Sequence, residues 1–110
     1  MTADEFREVA LSLPDVVEVG HMGHPDFRVG KKIFATLGYP DDGNGMVKLM
    51  PDQQALFVEK YPAMFAPSKG KWGLAGSTLV ILSRAKPKPV REALILAWRN
   101  RASPKLNATL

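Results

Sequence analysis

Residues 26–37 read Asp26-Phe27-Arg28-Val29-Gly30-Lys31-Lys32-Ile33-Phe34-Ala35-Thr36-Leu37. The stretch has the outline of a β-hairpin. Phe27 and Val29 share one face of a first strand, and Ile33, Ala35 and Leu37 share one face of a second. Gly30-Lys31-Lys32 is the turn between them, with Gly30 supplying a positive φ at little steric cost. Two strands joined so tightly pair antiparallel, and the rest of the fold has to be built around that pairing.

Upstream, Thr2-x-x-Glu5 is a capping box. Phe6, Val9, Ala10 and Leu13 follow at helical spacing up to Pro14, which predicts a helix over residues 3–12. Val16–His21 is rich in β-branched residues and predicts a short strand. Downstream, Gly38–Gly45 is dense in turn residues and predicts an exposed loop, followed by a strand over Met46–Met50. Pro51 and Asp52 suit the first turn of a helix over residues 51–61. Residues 62–76 are expected to be irregular. Ser77–Ser83 is apolar on both faces, which predicts a central strand. Lys86-Pro87-Lys88-Pro89 reads as a stiff connector, after which Val90, Ala93, Leu94, Ala97 and Trp98 mark an amphipathic helix to about residue 101. Ala102–Leu110 is expected to fray. This order predicts an α+β fold, an antiparallel β-sheet with helices packed on it.

The chain has 110 residues, 45% of them hydrophobic, which fits a single domain over 1–110 with one ordinary core. With zero Cys it has no disulfide scaffold, Cys-ligated zinc, iron–sulfur cluster or thiol nucleophile. No apolar run approaches the length of a membrane span, and the acidic start Met1-Thr2-Ala3-Asp4-Glu5-Phe6 lacks the form of a signal peptide. A cytoplasmic protein without membrane association is expected. Nothing calls for an obligate oligomer, and a monomer is expected. The net charge of +4 is unevenly spread. Residues 1–60 hold six basic and ten acidic side chains, while residues 61–110 hold nine basic ones and Glu92 alone on the acidic side. That asymmetry is the pattern of a surface for polyanions, and equally of a solubilised small domain.

The hairpin with its preceding Gly23-His24-Pro25, then Met46-Val47-Lys48-Leu49, Lys71-Trp72-Gly73 and Ala97-Trp98-Arg99, resembles the MmcQ/YjbR family. The resemblance covers nearly the whole chain, and the hairpin is its most specific part. It implies a CyaY-like α+β fold with a double-wing arrangement. It also implies DNA binding, a family label inferred largely from shape, and it implies no metal ligands. Many relatives carry a second Gly where this chain has Lys31, so the hairpin tip is more basic here.

Catalytic chemistry finds little to stand on. His21, His24 and Asp26 form a candidate metal cluster, but Gly23-His24-Pro25 is turn-like and does not present both His on one face. No Ser has a nucleophile-elbow context, Asp41-Asp42 sits in an evident turn, and Lys69-Gly70-Lys71 lacks the Walker spacing. No catalytic residue, metal or cofactor is implied. The basic segments carry more. Lys31 and Lys32 tip the hairpin, Lys69 and Lys71 flank a Gly beside Trp72, and Arg84, Lys86 and Lys88 precede the last helix. These seven are the expected contacts to nucleic-acid phosphates. Trp72 is read as a packing anchor on the size of its ring, against the alternative of a base contact. Trp98 falls on an apolar stripe and is read as core, while Arg91, Arg99 and Arg101 are read as solvated helix residues.

Three functions remain in competition. The first is a non-catalytic nucleic-acid-binding module, DNA foremost. The second is a protein-interaction or small-anion module with His24, Arg28 and Trp72 in its site. There the segment 62–76 would face the hairpin around His24, Phe27 and Arg28. The third is an enzyme, which needs His24 or Asp26 buried and perturbed in a cleft.

Overall fold

The computed structural model describes residues 1–20 and 24–110. The helix α1 (Ala3–Leu11) starts at the capping box: Thr2 Oγ1 accepts from the Glu5 amide at 3.1 Å, and Glu5 Oε1 accepts from the Thr2 amide at 2.9 Å. Next come β1 (Val16–Val19), β2 (Asp26–Val29), β3 (Lys32–Leu37) and β4 (Asn44–Lys48). The strand expected over Val16–His21 is shorter, and His21 lies outside the described residues. The hairpin turn is also tighter than expected. Val29 pairs with Lys32, which leaves Gly30 (φ 57°) and Lys31 (φ 69°) as the two turn residues. Positive φ at both central positions matches the twist of the flanking strands. It places Lys31 in a conformation that side chains disfavour by roughly 1 kcal/mol.

The helix α2 (Pro51–Lys60) follows as expected. Residues 62–76 are not irregular throughout: they contain β5 (Phe65–Pro67) and the five-residue helix α3 (Gly70–Leu74). The strand β5 is too short, with Pro67 as its last residue, to show a pattern, and it exists because it pairs with β6 (Ser77–Ile81). The last long helix, α4 (Pro87–Arg101), already includes the expected connector. Both prolines fall in its first turn, where their missing amide hydrogens forfeit no intrahelical bond. The tail folds too. In α5 (Pro104–Asn107), Ser103 Oγ caps the Leu106 amide at 3.1 Å, and Asn107 Nδ2 bonds the Arg99 and Ala102 carbonyls at 3.1 Å each.

All strand pairings are antiparallel, in the order β1-β2-β3-β4-β6-β5. The expected α+β class is thus an open six-stranded antiparallel sheet with helices packed on it. The strand β6 lies inside the sheet, as its apolar faces foretold. The core sits between the sheet and α1, α2 and α4. There Phe6 meets Phe27 with ring centroids 6.3 Å apart, and Phe57 meets Phe65 at 5.2 Å. Trp98 is fully buried in this layer, and its Nε1 donates to the Pro14 carbonyl at 3.0 Å. Among the described residues no helix is long and apolar enough to cross a membrane.

Candidate nucleic-acid interface

Strand register decides which loops meet. Lys48 pairs with Ser77, and Asn44 pairs with Ile81. Everything just before Ser77 therefore lies at the Lys48 end of the sheet, and everything just after Ile81 lies at the Asn44 end. Ala35 pairs with Val47, so the start of β3 and the hairpin tip also lie at the Lys48 end. Five residues of β6 separate the two ends by roughly 16 Å at about 3.3 Å per residue.

The seven expected basic contacts divide on this axis. Lys31, Lys32, Lys69 and Lys71 gather at the Lys48 end, whereas Arg84, Lys86 and Lys88 stand at the Asn44 end. All seven are exposed. The Asn44 end is mixed in sign. Its loop carries Asp41 and Asp42, and the Met1 ammonium, bonded to the Leu82 and Ala85 carbonyls at 3.1 and 3.0 Å, brings Asp4 and Glu5 of α1 alongside. Asp41 serves its loop, as Oδ1 accepts from the Gly43 amide and Asn44 Nδ2 at 2.9 Å each.

Two more cations join the Lys48 end. The helix α4 crosses β4 so that Asn100 Nδ2 donates to the Lys48 carbonyl at 3.1 Å, which brings Arg101 to this end. Partial burial pushes the Lys48 ammonium below its usual value, and the Arg101 charge pushes it further the same way. Neither residue is among the phosphate contacts expected from sequence, where Arg101 is read as a solvated helix residue. Both sit in correctly predicted elements, but their approach depends on how α4 crosses the sheet. The end thus collects Lys31, Lys32, Lys48, Lys69, Lys71 and Arg101, with Asp15 and Asp52 as the acids nearby in sequence. Among the described residues the ion pairs are Arg7–Glu18 and Arg28–Asp26, so none of these six cations is paired. With strands about 4.8 Å apart, the row from β3 to β5 is roughly 14 Å wide.

Trp72 corrects the packing-anchor expectation: it is 69% exposed. Gly73, not the ring beside it, is the packed residue of α3. A Cβ at Gly73 would stand 1.7 Å from the Ser68 carbonyl oxygen, so only glycine lets α3 sit this close. Gln54 Nε2 reaches the Gly73 carbonyl at 3.1 Å and the Ser77 carbonyl at 2.9 Å, tying α3 to β6. With Gly73 turned inward, Trp72 and Leu74 on either side are turned out. The Lys48 ammonium lies 4.6 Å from the Trp72 ring centroid, a cation–π contact.

The alternative trio is not brought together. His24 lies at the Asn44 end, with its ring edge-on to Tyr39 at 6.1 Å, whereas Trp72 lies at the Lys48 end. Arg28 is held by Asp26 through two bonds, Nε to Oδ1 at 2.8 Å and Nη2 to Oδ2 at 3.0 Å. That hydrogen bonding and the Asp26 charge raise the Arg28 value further. Residues 62–76 therefore do not wall a pocket with His24 and Phe27, because Phe27 is buried under α1. The groove beside α3 is instead lined by Gln54, Pro67, Ser68, Gly70, Gly73 and Leu74. The candidate metal cluster of His21, His24 and Asp26, which the sequence reading set aside, falls partly outside the described residues, and Asp26 is engaged by Arg28.

Comparison with known proteins bears on the whole chain. A family model described as YjbR matches residues 11–100. The fold is similar to the crystal structure of a Deinococcus radiodurans protein with a DUF419 domain. The TM-score is 0.74 at 18% identity, over 98% of this chain and 86% of that one. No curated protein matches the chain.

Proposed function

The chain belongs to the YjbR family, and from that premise we propose that it binds nucleic acid, DNA foremost, through phosphate contacts at the Lys48 end of its sheet. Catalysis has no part in this reading. The observation that carries it is the row of six unpaired cations, Lys31, Lys32, Lys48, Lys69, Lys71 and Arg101, along one end of the sheet. A linear polyanion suits a row of cations better than a compact one does, since each phosphate meets its own partner. Arg84, Lys86 and Lys88 are left outside the proposed surface because they stand among Asp4, Glu5, Asp41 and Asp42. The double-wing arrangement and a cytoplasmic location belong to the same proposal.

Anisotropy of labelled DNA titrated with the protein over a range of salt tests the reading. Affinity is expected to fall steeply as salt rises, with little preference among sequences. Absence of binding at low salt refutes it. A second reading, a small-anion module, draws on one observation, the neighbouring Lys48 and Arg101 charges. Inorganic phosphate or pyrophosphate that competes with DNA at equal charge concentration favours that reading, and competition only by polyanions favours the first.

A further inference from the structure

The two tryptophans of this chain are treated in opposite ways. Trp98 is fully buried and hydrogen-bonded, while Trp72 is 69% exposed on a helix of five residues. Trp72 is not exposed for want of a fixed place. Gly73 pins α3 against the Ser68 carbonyl, Gln54 ties it to β6, and the Lys48 ammonium sits 4.6 Å from the indole centroid on one ring face. The ring is held, and much of its surface is left open. Lys71 is its immediate neighbour and Lys69 is three residues before it, so cations flank the ring along the chain.

We propose that Trp72 is a stacking platform for an unpaired nucleobase, and that the nucleic acid taken at the Lys48 end is single-stranded. The inference rests on the phosphate-binding reading and narrows its ligand. In a duplex the base faces are already stacked on one another, so a held indole gains little there. In a single strand a base face is available to the open side of the ring, and such stacking is tolerant of sequence. The Lys48 cation on the opposite face completes a sandwich of ammonium, indole and base. The row of cations across the strand ends then follows the phosphates to either side of the stacked base. Exposed Trp72 and Leu74 also have the character of a membrane-inserting tip. Lys48, Lys69 and Lys71 lie round that tip, but Lys31 and Lys32 extend the row to the hairpin across the sheet end, which favours the linear polyanion.

The test uses the full chain with a short oligothymidylate, the matching duplex with oligodeoxyadenylate, and phosphatidylglycerol vesicles. Anisotropy gives affinity. Intrinsic fluorescence reports the ring, with buried Trp98 as an internal reference that no ligand reaches. The expected result is tighter binding of the single strand than of the duplex, with quenching of exposed tryptophan emission. Trp72→Ala is expected to weaken the single strand about 5- to 100-fold and to leave duplex binding nearly unchanged. Trp72→Phe is expected to restore most of that affinity. Since Trp72 is exposed, thermal melting checks that both variants keep the fold. Equal affinity for single strand and duplex, with no effect of Trp72→Ala, overturns the stacking proposal and leaves the phosphate reading standing. Failure of both polynucleotides to bind at low salt overturns both readings. Binding of the vesicles alone, with tryptophan emission shifted to the blue, does the same and assigns the tip to an anionic membrane.

Discussion

Two double substitutions separate the two ends of the sheet. Lys69→Gln with Lys71→Gln removes two cations from the Lys48 end, and Lys86→Gln with Lys88→Gln removes two from the Asn44 end. All four side chains are exposed, and among the described residues none is in an ion pair, so the fold is expected to survive each change. Each lost phosphate contact lowers the slope of log affinity against log salt by about 0.7 for a single strand and 0.9 for a duplex. Two lost contacts therefore flatten the slope by about 1.4 to 1.8. Taking the electrostatic contribution as spent near 1 M salt, the same two contacts are worth roughly 25- to 60-fold in affinity at 0.1 M. The pair at the Asn44 end, set among carboxylates and roughly 16 Å away along β6, is expected to change the slope by less than about 0.5. Anisotropy titrations at several salt concentrations measure all three slopes. The reasoning is refuted if the two double variants flatten the slope equally, or if only the Lys86/Lys88 pair does.

Other consequences concern the pieces that hold this end in place. Gly73→Ala forces a Cβ into the Ser68 carbonyl, so α3 must shift, and a loss of about 2 to 3 kcal/mol in urea unfolding is expected. Unchanged stability would show that α3 is not pinned there. Lys31→Gly removes a side chain from a positive-φ position, so a gain of roughly 0.5 kcal/mol is expected along with a flatter salt slope. A loss of stability would contradict the assigned turn. Lys48→Met bears on pH dependence. The Lys48 value is lowered in the fold by partial burial and then by Arg101, so between that value and its ordinary one the unfolded chain binds more protons. Stability contributed through Lys48 thus rises with pH across that alkaline window, and the variant is expected to lose this rise while gaining stability at neutral pH. Urea unfolding of both proteins at neutral and alkaline pH measures the difference, and parallel pH profiles would contradict it.

What the sequence disclosed and what it hid follow from how local each decision is. The hairpin is written in neighbours, Gly30 at the turn with Phe27 and Val29 alternating before it, so β2 and β3 were legible as strands, whereas the register shift between Phe27 and Arg28 that pairs Ile33 with Arg28, off the face of Ala35, was not. The capping box at Thr2 and the stripe ending in Trp98 are equally local. The strand β5 was not legible, because Phe65-Ala66-Pro67 is a strand only by virtue of its partner β6. The size of the Trp72 ring pointed inward, yet a contact between Gly73 and Ser68 turned it outward, and no spacing announces such a contact. The basic loops at Lys31, Lys32, Lys69 and Lys71 were visible as composition. Their convergence, and the distance of Arg84, Lys86 and Lys88 from them, depends on register between β4 and β6.

Three departures from what local stability favours lie together in this fold. Lys31 occupies a positive-φ position that glycine fills at no steric penalty. Lys48 is partly desolvated and set near Arg101, an arrangement that disfavours its charge. Trp72 leaves most of a large ring in water although the same chain buries Trp98 completely. The register puts all three at the Lys48 end. A chain selected for stability alone would have replaced each with an ordinary choice, such as glycine, an apolar residue and a small polar one. Local rules give way where a site needs something else, and here each departure supplies something an anionic ligand with flat rings can use. Lys31 adds a cation at a hairpin tip, Lys48 adds a partly desolvated one set against the indole, and Trp72 adds a fixed aromatic face. Their coincidence is the reason to look for the ligand at this end of the sheet before any other.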